Sequence, residues 1–582
     1  MATEYRVSLS YPNPSLGQMG TGSQTSNSID DEASRSKFGY GGSQQVKGLQ
    51  QAVLVVTLLN GLLISTLDTS IVSTSLVTIS NDLGDFVNAP WIILAYLLTY
   101  MGFAVCISKM SDIYGRKNIL ALCWVIFSGF SLGCANAKDM TALIVCRAFQ
   151  GIGASGLYSL TQIALVEVGP VHRPSLIGAL IGATLAIAFI LGPLLGGLIS
   201  RLSDWRWLFN LNIPFGLVSI LFITSFWPQE EVSHLLSWEA FTSIDFFGGA
   251  TLLCSSSLLV FAIQQAGSQT FAWSHPIIIL AFVISGLSCI AFIFWEAILD
   301  SKRHRHIEPI FPIRLMLSRV YASGLILTLL TGFSYISLTI VIPESFQIVN
   351  GDNALIAGIH LFPLLCACAI GSFLGGAISN RQNNTSYTLI GSSCLQLVGL
   401  GLMTTQSREN STKASQYAYQ ALFGLGVGLC FSATTIMTSI STAESSEKAT
   451  AQGAIAQARV LGGSIGLSIC TVIFNNHVNR YLEGHLTEPQ LESLHQSPLS
   501  GLQLPIDQRD LVKTVYAGAY AEEIKIMACV CSAMVIAAFF TLERHPAPLT
   551  RIRSRSEGGR FSKRGNDSEA EMISMGNARQ TA

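Results

Sequence analysis

The sequence predicts an all-α polytopic membrane protein, and three observations predict this fold class. Of its 582 residues, 50% are hydrophobic and only 12% are Asp, Glu, Lys or Arg, whereas soluble domains carry about 25% charged residues. The mean hydropathy is +0.48. The charges lie in short stretches between long apolar runs. Because lipid offers no hydrogen-bond partner to the backbone, such runs cross a membrane as helices.

The length of each apolar run decides whether it can span. A bilayer core about 30 Å thick needs roughly 20 apolar residues in a helix. About 14 runs meet this requirement. They begin near Val53, Trp91, Asn118, Thr141, Leu176, Trp207, Ile244, Ile277, Val320, Leu355, Tyr387, Tyr417, Thr450 and Ile524.

Composition divides the chain into two tails and a membrane region. Residues 1–50 are rich in Ser, Gly, Asn and Gln, and residues 546–582 in Arg, Ser, Gly and Glu. Neither stretch has enough apolar side chains to fold alone, so both are predicted to be disordered cytoplasmic tails. Between them we predict an N-terminal six-helix bundle at 51–230, two additional transmembrane helices at 240–300, and a C-terminal six-helix bundle at 318–545 that includes an external loop at 476–520.

Several classes of function are disfavoured by the sequence. The net charge of −1 provides no basic field for nucleic acid. The cysteines mostly stand singly in apolar runs, as Cys106 and Cys123 do, which is typical of packing residues rather than of a metal site or disulfide framework. There is no Gly-x-x-x-x-Gly-Lys-Ser/Thr loop for ATP. We therefore expect no enzyme, no catalytic residue, no cofactor, no metal, no ATP and no nucleic-acid partner.

The loop after the second apolar run combines a turn residue with charges. It reads SKMSDIYGRK from Ser108 to Lys117. Gly115 permits a tight turn between helices. Asp112 can cap the following helix or pair with a cation, while Arg116 and Lys117 hold the loop at the cytoplasmic face. Together these residues form a candidate gating loop.

This loop resembles the signature loop of the major facilitator superfamily, Gly-x-x-x-Asp-x-x-Gly-Arg-Lys/Arg, although Ser108 replaces the usual Gly and Ile113 a frequent Arg. LIVCRAFQGIGAS at 143–155 resembles the fourth-span signature of the same family. LAIAFILGPLLGG at 185–197 resembles its fifth-span antiporter signature. The resemblance implies an antiporter hinge made of Gly192, Pro193, Gly196 and Gly197.

LDTSIVSTSL at 67–76 resembles the first-span signature of the fourteen-span drug:proton antiporters, the fungal-type multidrug and toxin efflux transporters. The likeness covers about residues 53–545. It implies a major facilitator fold with two six-helix bundles plus two extra central helices. It also implies secondary active, proton-coupled export of hydrophobic or amphipathic small molecules such as drugs, toxins or secondary metabolites. The implied partners are a small-molecule substrate, protons and the lipid bilayer.

Charges inside the apolar runs are candidates for function, because a charged side chain at the bilayer centre costs about 2.5–3.5 kcal/mol. Asp68 lies deepest in its run, and is either a protonation site or the structural partner of a buried arginine. Arg147, in the fourth run, is its candidate partner. Glu344 lies nearer the outer face. These three residues are the candidates for proton coupling.

Two other functions stay open. A related branch of the family would transport basic amino acids or metal chelates at the vacuolar or plasma membrane, and several acids in the cavity would favour it. A sensor or scaffold on the same fold would not transport at all. The long tails, and a possible glycosylation acceptor at Asn410, favour the plasma membrane, with the vacuolar membrane as the alternative.

The distribution of Lys and Arg predicts the topology. One alternating set of loops contains Lys109, Arg116, Lys117, Arg173, Lys302, Arg303, Arg305, Arg314, Arg381 and Lys448. Cytoplasmic loops carry the excess of positive charge. Both termini and the Ser108–Lys117 loop should therefore face the cytoplasm, and residues 476–520 the outside or a lumen. Cysteine labelling from each side of intact membranes measures this, and labelling of 476–520 only from the cytoplasmic side would reverse the topology.

Overall fold

The computed structural model describes a large part of the chain. It covers residues 48–168, 174–228, 245–268, 270–301, 313–379, 382–405, 414–441, 445–487, 489–490, 494 and 504–543. The predicted tails before residue 48 and after residue 543 lie outside the described residues. So do the glycosylation candidate Asn410 and the predicted helix start at Ile244.

The described residues form helices and no β-strand. The long helices are α1 (Leu49–Leu83), α2 (Ala89–Tyr114), α3 (Arg116–Ala135), α4 (Met140–Val168), α5 (Pro174–Leu202), α6 (Trp207–Phe226), α7 (Phe246–Gly267), α8 (Pro276–Ser301), α9 (Arg319–Ser345), α10 (Ala354–His360 and Phe362–Ile378), α11 (Thr385–Thr404), α12 (Ala414–Ser441), α13 (Ser445–Leu482) and α14 (Ile506–Phe539). The all-helical fold class is confirmed.

Most of these helices are able to cross a bilayer. Within the described residues, 11 are long and apolar enough, and 12 if the bent α10 counts as one span. Helix α2 contributes a shorter apolar stretch, Ala89–Ala104. Helix α14 carries Glu522, Glu523 and Lys525 beside its apolar half. A total of about 14 spans therefore stays a prediction.

Two hydrophobic cores organise the helices. The first packs side chains of α1 to α6, with Trp124, Phe127 and Leu157 fully buried. The second packs side chains of α9 to α14, including Phe423 and Met527. Each set therefore buries its own apolar interior, as the prediction of two bundles requires, while the exact domain boundaries stay predictions.

The two sets of helices meet where α1 contacts α9 and α10, where α2 contacts α13, and where α5 contacts α10. Small residues allow close approach at one end of this interface. A Cβ atom at Gly358 of α10 would lie 2.7 Å from the carbonyl oxygen of Pro193 in α5. The side chain of Gln347, just after α9, donates a 3.1 Å hydrogen bond to the carbonyl oxygen of Thr74 in α1. The interface is therefore closed at the end where α1 terminates.

The two additional helices occupy different environments. Helix α7 packs against both α2 and α13, so it bridges the two bundles. Its first turn is fixed by Asp245, which accepts hydrogen bonds from the backbone nitrogen of Gly248 and from the Trp295 indole of α8, both at 2.8 Å. Helix α8 packs mainly against α7 and exposes large apolar side chains such as Leu280 and Phe294. Exposed apolar faces of this size are typical of contact with lipid.

The predicted loop at 476–520 is shorter in the structure. Helix α13 continues to Leu482, and α14 begins at Ile506. The polar residues at these ends lie on helices that extend beyond the apolar stretch, so apolar length alone underestimates the helices. The segment that joins them is therefore at most 483–505, of which much lies outside the described residues.

Close packing of α9 on α13 gives a test of the fold. A Cβ atom at Gly462 would overlap the carbonyl oxygen of Leu329. We expect Gly462→Leu to destabilise the protein by about 1–3 kcal/mol, since backbone atoms must move apart. The measurement is thermal unfolding of the purified protein in detergent. Gly391→Ala is the control, because its Cβ meets open space and alanine favours a helix by about 1 kcal/mol. Equal melting of both variants would contradict the packing.

Candidate functional site

Asp68 and Arg147 form an ion pair inside the first bundle. One guanidinium nitrogen of Arg147 lies 2.5 Å from Oδ2 of Asp68. Both residues are 1% exposed. Asp68 comes from the middle of α1 and Arg147 from α4, so the pair ties these two helices together. The sequence predicted both residues as candidates and Arg147 as the partner, and the structure brings them into contact.

The other oxygen of Asp68 is also satisfied. Oδ1 accepts hydrogen bonds from the side-chain amides of Gln150 at 3.1 Å and Asn212 at 2.9 Å. Both amides also donate to the hydroxyl of Ser131, at 2.8 Å and 3.2 Å. Because Ser131 lies on α3 and Asn212 on α6, the carboxylate of Asp68 is linked to four helices. We call Asp68, Arg147, Gln150, Asn212 and Ser131 the Asp68 cluster.

Aromatic and backbone groups hold the guanidinium of Arg147 in place. Its central carbon lies 4.2 Å from the centre of the Tyr96 ring, a cation–π contact that favours the charged form. Its Nε donates a 3.1 Å hydrogen bond to the carbonyl oxygen of Ile92, and the same terminal nitrogen that contacts Asp68 donates to Gln150 Oε1 at 2.7 Å. The arginine is therefore charged, paired and fixed without contact with water.

The sequence analysis assigned a candidate role to only two residues of this cluster, Asp68 and Arg147. Gln150 lies in the segment 143–155 that carries the family resemblance, and Asn212 in the apolar run that begins near Trp207, but nothing in their spacing placed them on Asp68. Ser131 is one of many hydroxyl residues in the apolar runs. A buried carboxylate needs several donors, and only the packing of α4 and α6 against α1 shows which residues provide them.

The candidate gating loop forms a tight turn between α2 and α3. Gly115 has φ of 86°, a conformation that favours glycine, and it is the N-cap of α3. Arg116 is buried and donates to the hydroxyl of Ser111 and to the carbonyl oxygen of Ser108. Lys117 donates a 2.8 Å hydrogen bond to the carbonyl oxygen of Thr224 in α6. The side chain of Asp112 lies outside the described residues.

The candidate hinge lies where α5 passes between α1 and α10. Gly196 approaches α1, and a Cβ atom there would lie 2.6 Å from the carbonyl oxygen of Ile71. Gly192 faces the side chain of Ser70. Gly197 faces the backbone of Leu355 in α10. With Pro193 inside the helix, these residues allow α5 to contact both bundles at backbone distance.

Glu344 lies in the last turn of α9, away from the Asp68 cluster. Its Oε1 accepts a 3.3 Å hydrogen bond from the hydroxyl of Tyr520. It lines a cavity together with Glu523, which is 3% exposed. The sequence analysis missed Glu523. Its signal was the pair Glu522-Glu523 directly before an apolar run.

Comparison with known proteins identifies the family. The family model described as Major Facilitator Superfamily matches residues 58–467. The chain is 36% identical over 509 residues to an MFS-type transporter, FPY5, of Fusarium mangiferae, covering 86% of this chain and 85% of that protein. It is 30% identical over 435 residues to Multidrug resistance protein 3 of Bacillus subtilis, covering 74% and 82%.

A solved structure has the same fold. It is the bacterial homologue of the human lysosomal transporter Spinster, in an inward-facing and occupied conformation, with a TM-score of 0.56 and 12% identity. The superposition covers 85% of this chain and 97% of that one. Together with the helical bundles and the sequence matches, this fold places the protein among integral membrane proteins that act as secondary transporters. The chain belongs to the Major Facilitator Superfamily.

Proposed function

We propose that the protein exports hydrophobic or amphipathic small molecules, such as drugs, toxins or secondary metabolites, in exchange for protons. The observation that carries this proposal is the Asp68 cluster, a carboxylate in the membrane interior whose charge is balanced by a single arginine. Support for export comes from the relative named as a multidrug resistance protein. The fourteen-span drug:proton antiporters are the proposed subfamily.

A change of charge at Asp68 alters the balance within the first bundle. When the carboxylate is ionised, it holds Arg147 and accepts from Gln150 and Asn212. When it binds a proton, the attraction to Arg147 is lost and the guanidinium needs another partner. Removing one partner of a buried ion pair costs about 3–5 kcal/mol, which is enough to shift an equilibrium between two conformations that differ by a few kcal/mol. A proton at Asp68 therefore favours a different packing of α1 against α4.

The gating loop and the hinge provide the moving parts of this proposal. Arg116 and Lys117 fix the turn between α2 and α3 to neighbouring carbonyl groups. At the other end, Gly197 and Pro193 bring α5 against α10. In the predicted topology the closed end faces outward. Opening one end while the other closes is the expected motion of two halves around a central site.

The plasma membrane is the proposed location, and the vacuolar membrane is the alternative. Transport of basic amino acids or metal chelates is the second candidate, and it is favoured by the two acids, Glu344 and Glu523, that line one cavity. Flux of a compound panel in sealed vesicles with an imposed pH gradient separates these substrates. A scaffold would give no flux in that assay.

The substitution Asp68→Asn tests whether this carboxylate couples proton movement to export. Asparagine keeps the size of the side chain and one acceptor oxygen but cannot exchange a proton, so substrate should still bind to protein that remains folded. Export driven by a pH gradient should fall by at least about 100-fold, the scale of a lost essential proton-transfer group. Reconstituted protein in liposomes gives both measurements.

The control for this experiment is Asp82→Asn on the same helix. Asp82 is half-exposed and 3.4 Å from Arg206, so its loss should leave export unchanged. Thermal unfolding of both variants separates loss of coupling from loss of folding. Undiminished uphill transport by Asp68→Asn would show that another residue couples protons to export, and Glu344 would be the next candidate.

Two substitutions test whether the gating loop is needed for transport. Arg116→Ala removes the contacts with Ser108 and Ser111, and Asp112→Asn removes a charge from the same turn. We expect both variants to reach the membrane folded but to transport at least about tenfold more slowly, because the loop holds one conformation. Lys138→Ala is the control, since Lys138 is exposed in the turn between α3 and α4. Normal turnover of both loop variants at normal expression would remove this role.

A further inference from the structure

A small cavity lies between the two bundles at their closed end. Its volume is about 60 Å³, enough for one or two water molecules, each of which takes about 30 Å³ in the liquid. The walls come from the end of α1, the start of α2, the end of α7, and from α9, α13 and α14. Most are apolar or aromatic, as Phe86, Phe474 and Tyr516 are. Two carboxylates, Glu344 and Glu523, complete the lining.

Glu523 is buried without a full set of partners. It is 3% exposed, and its Oε2 has no hydrogen-bond partner among the described residues. Glu344 accepts from Tyr520, which lies one turn before Glu523 on α14. A buried carboxylate oxygen without a donor remains able to bind a proton or to accept a hydrogen bond from water in the cavity. Oε2 of Glu523 is therefore the polar atom at this cavity that is open to a proton.

The surroundings provide no positive charge to balance the two acids. The lining residues include no Lys, Arg or His. The other titratable side chains are Cys470 of α13 and Tyr516 of α14, together with Tyr520. His477 of α13 is engaged with Glu522, at 3.1 Å. The lining residues of α1, α2 and α7 carry no titratable group.

Two ionised carboxylates that line one small cavity repel each other, and burial deprives Glu523 of hydration. One proton removes a charge and gives the pair a donor. We propose that Glu344 and Glu523 form a second proton-binding site, which holds the bundles together at this end when a proton is bound. This site is separate from the Asp68 cluster. Its role in the transport cycle rests on the proposed function, whereas its binding of a proton does not.

The position of Glu344 links the site to the contact between the bundles. It follows Pro343 and lies just before the π-helical turn Phe346–Asn350, a distortion that occurs frequently at functional sites. Within this turn, Gln347 donates to the carbonyl oxygens of Thr74 in α1 and of Pro343. Repulsion at Glu344 therefore acts three residues from the hydrogen bond that joins α9 to α1. Loss of the proton opens this end, and proton binding closes it.

Cys470 provides a reporter in the unaltered chain. It is a free cysteine, 3% exposed, and it lines the cavity. Its rate of labelling by a small maleimide, followed by peptide mass spectrometry on the reconstituted full chain, measures opening. Each variant is compared with the unaltered chain at the same pH, because ionisation of the thiol also changes the labelling rate as the pH changes. Glu344→Gln and Glu523→Gln are neutral at every pH and should keep the cavity closed.

The expected result is equal labelling of all three proteins at acidic pH. At alkaline pH the unaltered chain should be labelled at least about tenfold faster than either glutamine variant, the factor that corresponds to about 1.4 kcal/mol. The matched control is Glu522→Gln, the adjacent residue, whose side chain is 44% exposed. It should follow the unaltered chain. The two glutamine variants are independent tests, and each is accompanied by thermal unfolding.

Three results would overturn the proposal. The first is that both glutamine variants follow the unaltered chain at all pH values. The second is that both label faster than the unaltered chain at acidic pH. The third is that Na⁺ or K⁺, rather than protons, protects Cys470 in the unaltered chain, a measurement that needs no substitution. If the unaltered chain shows this labelling pattern but no uphill export, only the proposed function is contradicted. If it exports uphill but does not show the pattern, only the proton-binding site at Glu344 and Glu523 is contradicted.

Discussion

The ion pair between Asp68 and Arg147 is the constraint on which the first bundle depends. In a membrane interior neither charge is tolerated alone, so α1 and α4 must pack in the register that joins them. Their remaining hydrogen-bonding groups then require the amides of Gln150 and Asn212, which fixes α6 as well. The pair is therefore a structural connection, and in our proposal it is also the place where a proton changes the balance of charge.

The contact between the bundles depends on close backbone packing rather than on an ion pair. Between α5 and α10 the backbones approach through Gly197 and Gly358, with few polar bonds. Such contacts gain dispersion energy while closed and leave no unpaired charge when they separate. The Gln347–Thr74 hydrogen bond is an exception, and it lies beside Glu344. Internally bonded bundles joined by a weakly polar interface are suited to move as two bodies.

The two acidic sites differ in how their charges are satisfied. Asp68 has a cation and three donors in all, whereas Glu523 has an orphan oxygen. The charge of Asp68 faces the guanidinium of Arg147, whereas the cavity at Glu344 and Glu523 has no Lys, Arg or His among its lining residues. The positions differ as well, because the Asp68 cluster lies within the first bundle, whereas Glu344 and Glu523 belong to the second bundle and line a cavity that α1 and α2 also border. In our proposals a proton therefore has a distinct structural consequence at each site.

The sequence by itself determined the helical class, the order of the apolar runs and the turn at Gly115, because these depend on local properties: apolar length, composition and backbone freedom. It also selected Asp68 and Arg147, since a charge within an apolar run is conspicuous. Only the tertiary structure decided that Asn212 and Ser131 complete that cluster, and that Glu523 joins Glu344. Glu523 was missed because α14 begins at Ile506, well before its apolar half, and a carboxylate beside an apolar run looks like a solvated helix end. Its burial comes from the packing of α9, α13 and α14, which no local pattern specifies.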